Sequence, residues 1–235
     1  SVTIELTGSN TLNASATGNY AALQVETGNG VTLTSTSGGN LNATGSFMGA
    51  GIGSGSFRSV GTINISGSAR VTASGGGYGA GIGGGYNGSG GTINISGSAQ
   101  VAAAGDYGGA GIGGGTSGDG GAVNISGQAI VHAQGGDDYG GAGIGVGAYF
   151  GRPVNGGIVN ISGNPQVTAI GGTGAKNGGA GIGGSGEAPG AAVTISGGTV
   201  FATGGRDSAG IGGGSGYPFF NSKAGDGGSF TMTGG

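Results

Sequence analysis

Three features of the 235-residue sequence predict an all-β parallel β-helix, a solenoid of about seven coils of ~30 residues with three strands per coil. The string "GAGIG" places isoleucine at 52, 82, 112, 144 and 182, and "SAGIG" repeats it at 211, with spacings of 30, 30, 32, 38 and 29 residues. Between these copies stands "GTINISG" at 61–67 and 91–97, followed by "AVNISG", "IVNISG" and "AVTISG" at 122–127, 158–163 and 192–197. A third element comes after it in each repeat: "ARVTAS", "AQVAAA", "AIVHAQ", "PQVTAI" and "TVFATG". "VTIELTG", "NYAALQV" and "SFTMTGG" read as outlying copies, with Leu23 standing 29 residues before Ile52.

Each element is short, alternating and rich in β-branched or small residues, the signature of a strand. In "TINIS" both isoleucines point one way, while Thr, Asn and Ser point the other. Constant rung-to-rung identity favours parallel stacking over a series of hairpins. At ~4.8 Å per coil, seven coils make a rod of roughly 34 Å. The inward set is then Ile63, Ile65 and their equivalents from the first element, and Val71, Val101, Val131, Val167 and Val200 with the alanines two residues on from the second. The third supplies an Ala–Ile pair such as Ala80 and Ile82. Residues 1–235 form one domain on this reading.

Composition agrees. Glycine, 71 residues, is far above the usual ~7%, but it lacks the three-residue period of collagen. Recurrent Val, Ile and Thr argue against a flexible linker. A net charge of −3 with six Lys and Arg leaves no electrostatic footprint for nucleic acid. No apolar run approaches the ~20 residues of a membrane span, and there is no Cys to pair.

Several motifs dissolve in this context. Gly79, Gly81 and Gly84 match G-x-G-x-x-G, yet a dinucleotide loop needs a helix after it, and here the string leads into another strand. The "NIS" sequons at Asn64, Asn94, Asn124 and Asn160 read as an amide ladder, because glycans on rungs ~4.8 Å apart would collide. Asp119 in "GDGG" reads as turn chemistry, and His132 faces outward from the second strand set. Nine dispersed acids, one His and no Cys supply neither a carboxylate pair nor a nucleophile with its base, so no catalytic residue, metal site or cofactor is expected.

One constellation carries chemistry. "GDYGGAGIG" at 105–113 and "DDYGGAGIG" at 137–145 align without a gap, which places Asp106 under Asp138 and Tyr107 under Tyr139. Tyr78 and Phe47 precede the same string in earlier coils, and Tyr20 fills a similar place near the start. The result is an aromatic file along one edge. It serves either as a shield for the third sheet or as a sugar platform, with rings against pyranose faces and carboxylates accepting hydroxyl protons. The ligand residues on the second reading are Tyr78, Tyr107, Tyr139, Asp106 and Asp138.

Strict alternation puts Gly81 and Gly83 outside, as in every coil. Twelve such glycines cost roughly 6–12 kcal/mol relative to alanine, so something is expected to lie against them. The candidates are the aromatic loops carrying Tyr149, Phe150, Tyr217, Phe219 and Phe220, or a glycan or partner chain.

The stretch "VTIELTGSNTL…AALQVETGNGVTLTSTSGGNLNATG" (2–45) with the "GAGIGGG" coils resembles the glycine-rich repeats of bacterial, Gram-positive-type, cell-surface proteins. Some of those domains are described as carbohydrate-binding β-helices similar in fold to polysaccharide lyases. The resemblance implies a non-enzymatic, extracellular module of a longer surface protein, a carbohydrate-binding or adhesive stalk. Its implied partner is a polysaccharide or a host or cell-surface glycan, with end-to-end or face-to-face self-association where solenoid ends are uncapped. A purely structural spacer or fibre is the alternative. An ice-binding protein or lyase-like enzyme comes third, the former weakened by Ala122, Ile158 and Ala192 breaking the Thr array.

Overall fold

The computed structural model describes residues 1–148, 151, 153–174, 177–216 and 223–233. It is a parallel β-helix of three sheets that run the length of the rod. The first sheet has eight strands, from Val2–Glu5 to Ser229–Met232, and the second has seven, from Ser9–Asn13 to Thr199–Thr203. The third also has seven, each only two residues long, such as Leu23–Gln24 and Ile82–Gly83. Every strand pairs in parallel with its equivalent one coil away: Ile63 with Ile93, Val71 with Val101, Ile82 with Ile112. The outlying copies hold their places too, since Leu23 pairs with Ile52 and Val193 with Phe230.

The core follows the alternation read from the sequence. Ile63, Ile65, Ile93, Ile95, Ile125 and Ile161 are essentially fully buried, facing Val71, Val101, Val131 and Val167 across a narrow interior. Val200 and Ala202, in the last coil of the second sheet, are only partly covered. Core positions at the two ends are more open: Val2, Phe230 and Met232 are exposed. Sequence patterning missed Ala69, Ala99 and Ala129, which are wholly buried at the corner between the first two sheets.

The amide ladder is formed as expected. Nδ2 of Asn94 donates to Oδ1 of Asn64 at 2.8 Å, Asn124 to Asn94 at 2.8 Å and Asn160 to Asn124 at 2.9 Å. Asn64 ends the file by donating to the Thr32 hydroxyl at 3.2 Å. Each amide lies one coil from the next, so the ladder reports the register of the first sheet directly.

The glycine-rich side differs from expectation. Gly81 and Gly83 are buried rather than forming a bare outer strip. Alternation fails because the third strand is two residues long and Gly83 has φ +139°. A Cβ on Gly81 would meet the Ala104 backbone nitrogen at 2.6 Å, and one on Gly83 would sit 1.8 Å from the Gly113 carbonyl oxygen. The segments leading into the first sheet lie against the same strand, with Gly90 beside Gly113 and Gly120 beside Gly145. What lies against the glycines is therefore the backbone of the next coil. Tyr149, Phe150, Tyr217, Phe219 and Phe220, the proposed internal cover, lie outside the described residues.

Two predictions follow from this packing. Gly83→Ala combines a forbidden φ with backbone overlap and should lower unfolding free energy by at least about 3 kcal/mol in urea titration, whereas Ala104→Ser nearby should change it by less than about 1 kcal/mol. Asn94→Ala strands the donor of Asn124 and the acceptor of Asn64, both half-buried, and should cost about 1–2 kcal/mol by the same measurement.

Candidate functional site

Tight turns between the second and third sheets build the edge that carries the aromatic residues. The Gly49 N–H donates to the Ser46 carbonyl, Gly79 to Gly76 and Gly109 to Asp106, each at 2.8 Å, closing four-residue turns one above another. Successive turns are tied along the axis, as Tyr78 N donates to Phe47 O at 3.0 Å and Tyr139 N to Tyr107 O at 2.9 Å. Stacked turns of one shape bring their central side chains into a file.

That file exists. Phe47 meets Tyr78 edge-on with centroids 5.3 Å apart, Tyr78 stacks with Tyr107 at 5.2 Å, and Tyr107 with Tyr139 at 6.2 Å. Gly77 gives Phe47 its place, since a Cβ there would lie 2.7 Å from the ring. Two rings escaped the sequence reading. Tyr86 packs edge-on to Tyr78 at 5.3 Å, and Phe57 to Tyr86 at 5.6 Å, forming a branch from the neighbouring stack of turns. Tyr86 stands four residues after Ile82 and Phe57 five after Ile52, so their shared place was hidden by a change of offset. The tyrosines are half-buried, while Phe47 and Phe57 are 43% and 73% exposed.

Tyr20 is not in this file. Its carbonyl accepts from Ser46 N at 3.2 Å, which puts it on the Gly49 position, and it makes no ring contact among the described residues. The two aspartates are not stacked either. Asp106 N donates to Gly79 O and Gly136 N to Gly109 O, so Gly136 occupies the Asp106 position one coil on. The turn above is two residues longer, and the gapless alignment crossed that insertion. Asp106 instead accepts from Tyr107 N at 2.8 Å, capping a residue held at φ +44°. Asp138 is exposed in the longer turn, and its neighbour Asp137 accepts from Thr173 N at 3.0 Å. Asp119, read as turn chemistry, instead ties adjacent coils, accepting from Ser89 Oγ at 3.1 Å and Asn155 N at 2.8 Å.

Burial, and then the charges that Tyr139, Tyr107 and Tyr86 acquire, raise the Tyr78 phenol above the ordinary value of 10.0. Among the described residues no group of three or more His, Asp or Glu is placed to hold a metal ion.

A family model described as a beta helix repeat matches residues 37–56, 63–86, 123–145 and 193–215. The chain is similar to beta helix repeats. The last three of the four stretches span the three strands of one coil each, so the match follows the solenoid unit rather than a site. No curated protein and no solved structure matches the chain.

A phenol whose pKa is raised by folding retains its proton where the unfolded chain has lost it. Stability contributed by neutral Tyr78 is therefore intact below pH 10 and falls as pH rises from there through the folded-state value. Ultraviolet difference titration should show a late-ionising phenol that is missing in Tyr78→Phe.

Proposed function

We propose that this chain is a non-catalytic, exported β-helix stalk that binds carbohydrate along its aromatic edge. The observation that carries this reading is the continuous cluster of six rings, Phe47, Tyr78, Tyr107, Tyr139, Tyr86 and Phe57, held on rigid stacked turns at the surface. A β-helix built on such regular contacts has little conformational entropy left to lose on binding, which favours a preformed platform. Phe47 and Phe57 offer the open ring area, while the phenols of Tyr78, Tyr107 and Tyr139 and the carboxylates of Asp106 and Asp138 offer hydrogen-bonding groups. The absence of catalysis in this proposal rests on the dispersed acids. Export and a place at the cell surface rest on the resemblance to surface-protein repeats.

A structural spacer is the second reading, and one observation favours it. Tyr78, Tyr107 and Tyr139 lie at interplanar angles of 29° and 23°, so they cover each other's faces as a ladder does.

Affinity electrophoresis through neutral polysaccharides separates the two. Binding to at least one neutral polymer should weaken about tenfold in Tyr107→Ala/Tyr139→Ala while the circular dichroism spectrum is kept. Failure to bind any glycan, together with concentration-dependent filaments, would establish the spacer.

A further inference from the structure

Asparagine followed by glycine is a chemically labile pair, because glycine has no side chain to shield the amide nitrogen next to the asparagine. The chain has four such pairs, beginning at Asn29, Asn87, Asn155 and Asn177. In the unfolded chain their local chemistry is alike. The fold treats them differently.

Three of the four are held back. The Gly88 N–H donates to the Gly85 carbonyl at 2.8 Å, and the Gly178 N–H to Ser215 Oγ at 2.7 Å. Each nitrogen must give up that bond before it can attack. Asn177 is also only 6% exposed, away from the water that hydrolysis needs. Gly30 already belongs to the strand Gly30–Thr34 and pairs with Thr62, and no donor among the described residues is bound to the Asn29 side chain.

Asn155 is arranged the other way. It is exposed, in the segment that leads into the first sheet. Its Oδ1 accepts from Gly157 N at 3.2 Å, which folds the side chain forward along the Asn155–Gly156 peptide. Among the described residues the Gly156 N–H has no acceptor. The main chain before it is fixed, since Asn155 N donates to Asp119 Oδ1 at 2.8 Å and Gly120 N donates to Asn155 O at 3.0 Å. An unengaged nitrogen thus lies next to a side-chain carbonyl, and the N–H bound to that carbonyl's oxygen stabilises the negative charge that develops there.

We infer that Asn155–Gly156 is a site of spontaneous covalent modification, by succinimide formation and hydrolysis. The Gly156 nitrogen forms a bond to Asn155 Cγ and loses its proton, while the Cγ–Nδ2 bond breaks and Nδ2 leaves with that proton as ammonia. Water then adds to one carbonyl of the five-membered ring and opens it to aspartate, or to the other and opens it to isoaspartate. One water is consumed and one ammonia released, with no oxidant or enzyme. Either product sets a carboxylate beside Asp119 and adds one negative charge to a chain of net charge −3. The tie between coils at Asp119 is therefore where this solenoid ages chemically.

Held at mildly alkaline pH, the folded protein should gain an acidic band on isoelectric focusing. Peptide mass mapping with isoaspartyl methyltransferase labelling should place the change at Asn155. Conversion there should be about tenfold faster than at Asn87 or Asn177, the factor set by one hydrogen bond, and faster than at Asn29. In guanidinium chloride the four should convert at similar rates. Asn155→Gln, whose longer amide must close a larger ring, should lose the acidic band and keep the circular dichroism spectrum. Equal or faster conversion at any of the other three sites in the folded protein, the same ranking in denaturant, or an undiminished band in Asn155→Gln would each overturn the assignment.

Discussion

Everything in this molecule depends on the backbone of one coil bonding to the same position of the next. The constraint is mild on the first and second sheets, where side chains project perpendicular to the stacking direction and the core can hold isoleucine and valine. On the third side it is severe. There the chain doubles back on itself, so that Ala80 N donates to Gly84 O at 2.9 Å around Ile82, while Gly81 and Ile82 donate to carbonyls of the next coil at 3.1 and 3.0 Å. Backbone packs against backbone on several sides at once, and no Cβ fits. The glycine content is thus a consequence of coil spacing.

The same stacking explains where function can be placed. Glycine turns repeat one shape from coil to coil, so an aromatic residue substituted at the turn centre finds another above it, and a file of rings results. The outer face of the second sheet has the opposite character. Its outward positions are exposed and vary from coil to coil, as Thr72, Ala102 and His132 do in register. One register therefore builds two kinds of surface, an aromatic edge and a variable sheet face.

Much of this was legible in the sequence. The repeat spacing, the inward isoleucines, the asparagine ladder and the file of Phe47, Tyr78, Tyr107 and Tyr139 all follow from aligning coils. The failures have two causes. Asp106 over Asp138 and Tyr20 in the file assumed that alignment by residue offset equals alignment in space, whereas the outward Gly81 assumed an alternation that a two-residue strand with Gly83 at φ +139° does not keep. Insertions within turns break that equality, as the two extra residues before Tyr139 did, and the missing Tyr86–Phe57 branch has the same origin.

The sequence by itself determined the solenoid, because period-two alternation within a ~30-residue repeat has few other ways to bury its apolar face. It could not decide what the glycines touch or which turn side chains meet. Those depend on hydrogen bonds between residues about thirty positions apart, whose pairing is settled only when coils are stacked. The tertiary structure supplied that pairing. It turned a bare glycine strip into a packed backbone layer, dispersed two aspartates and joined six rings.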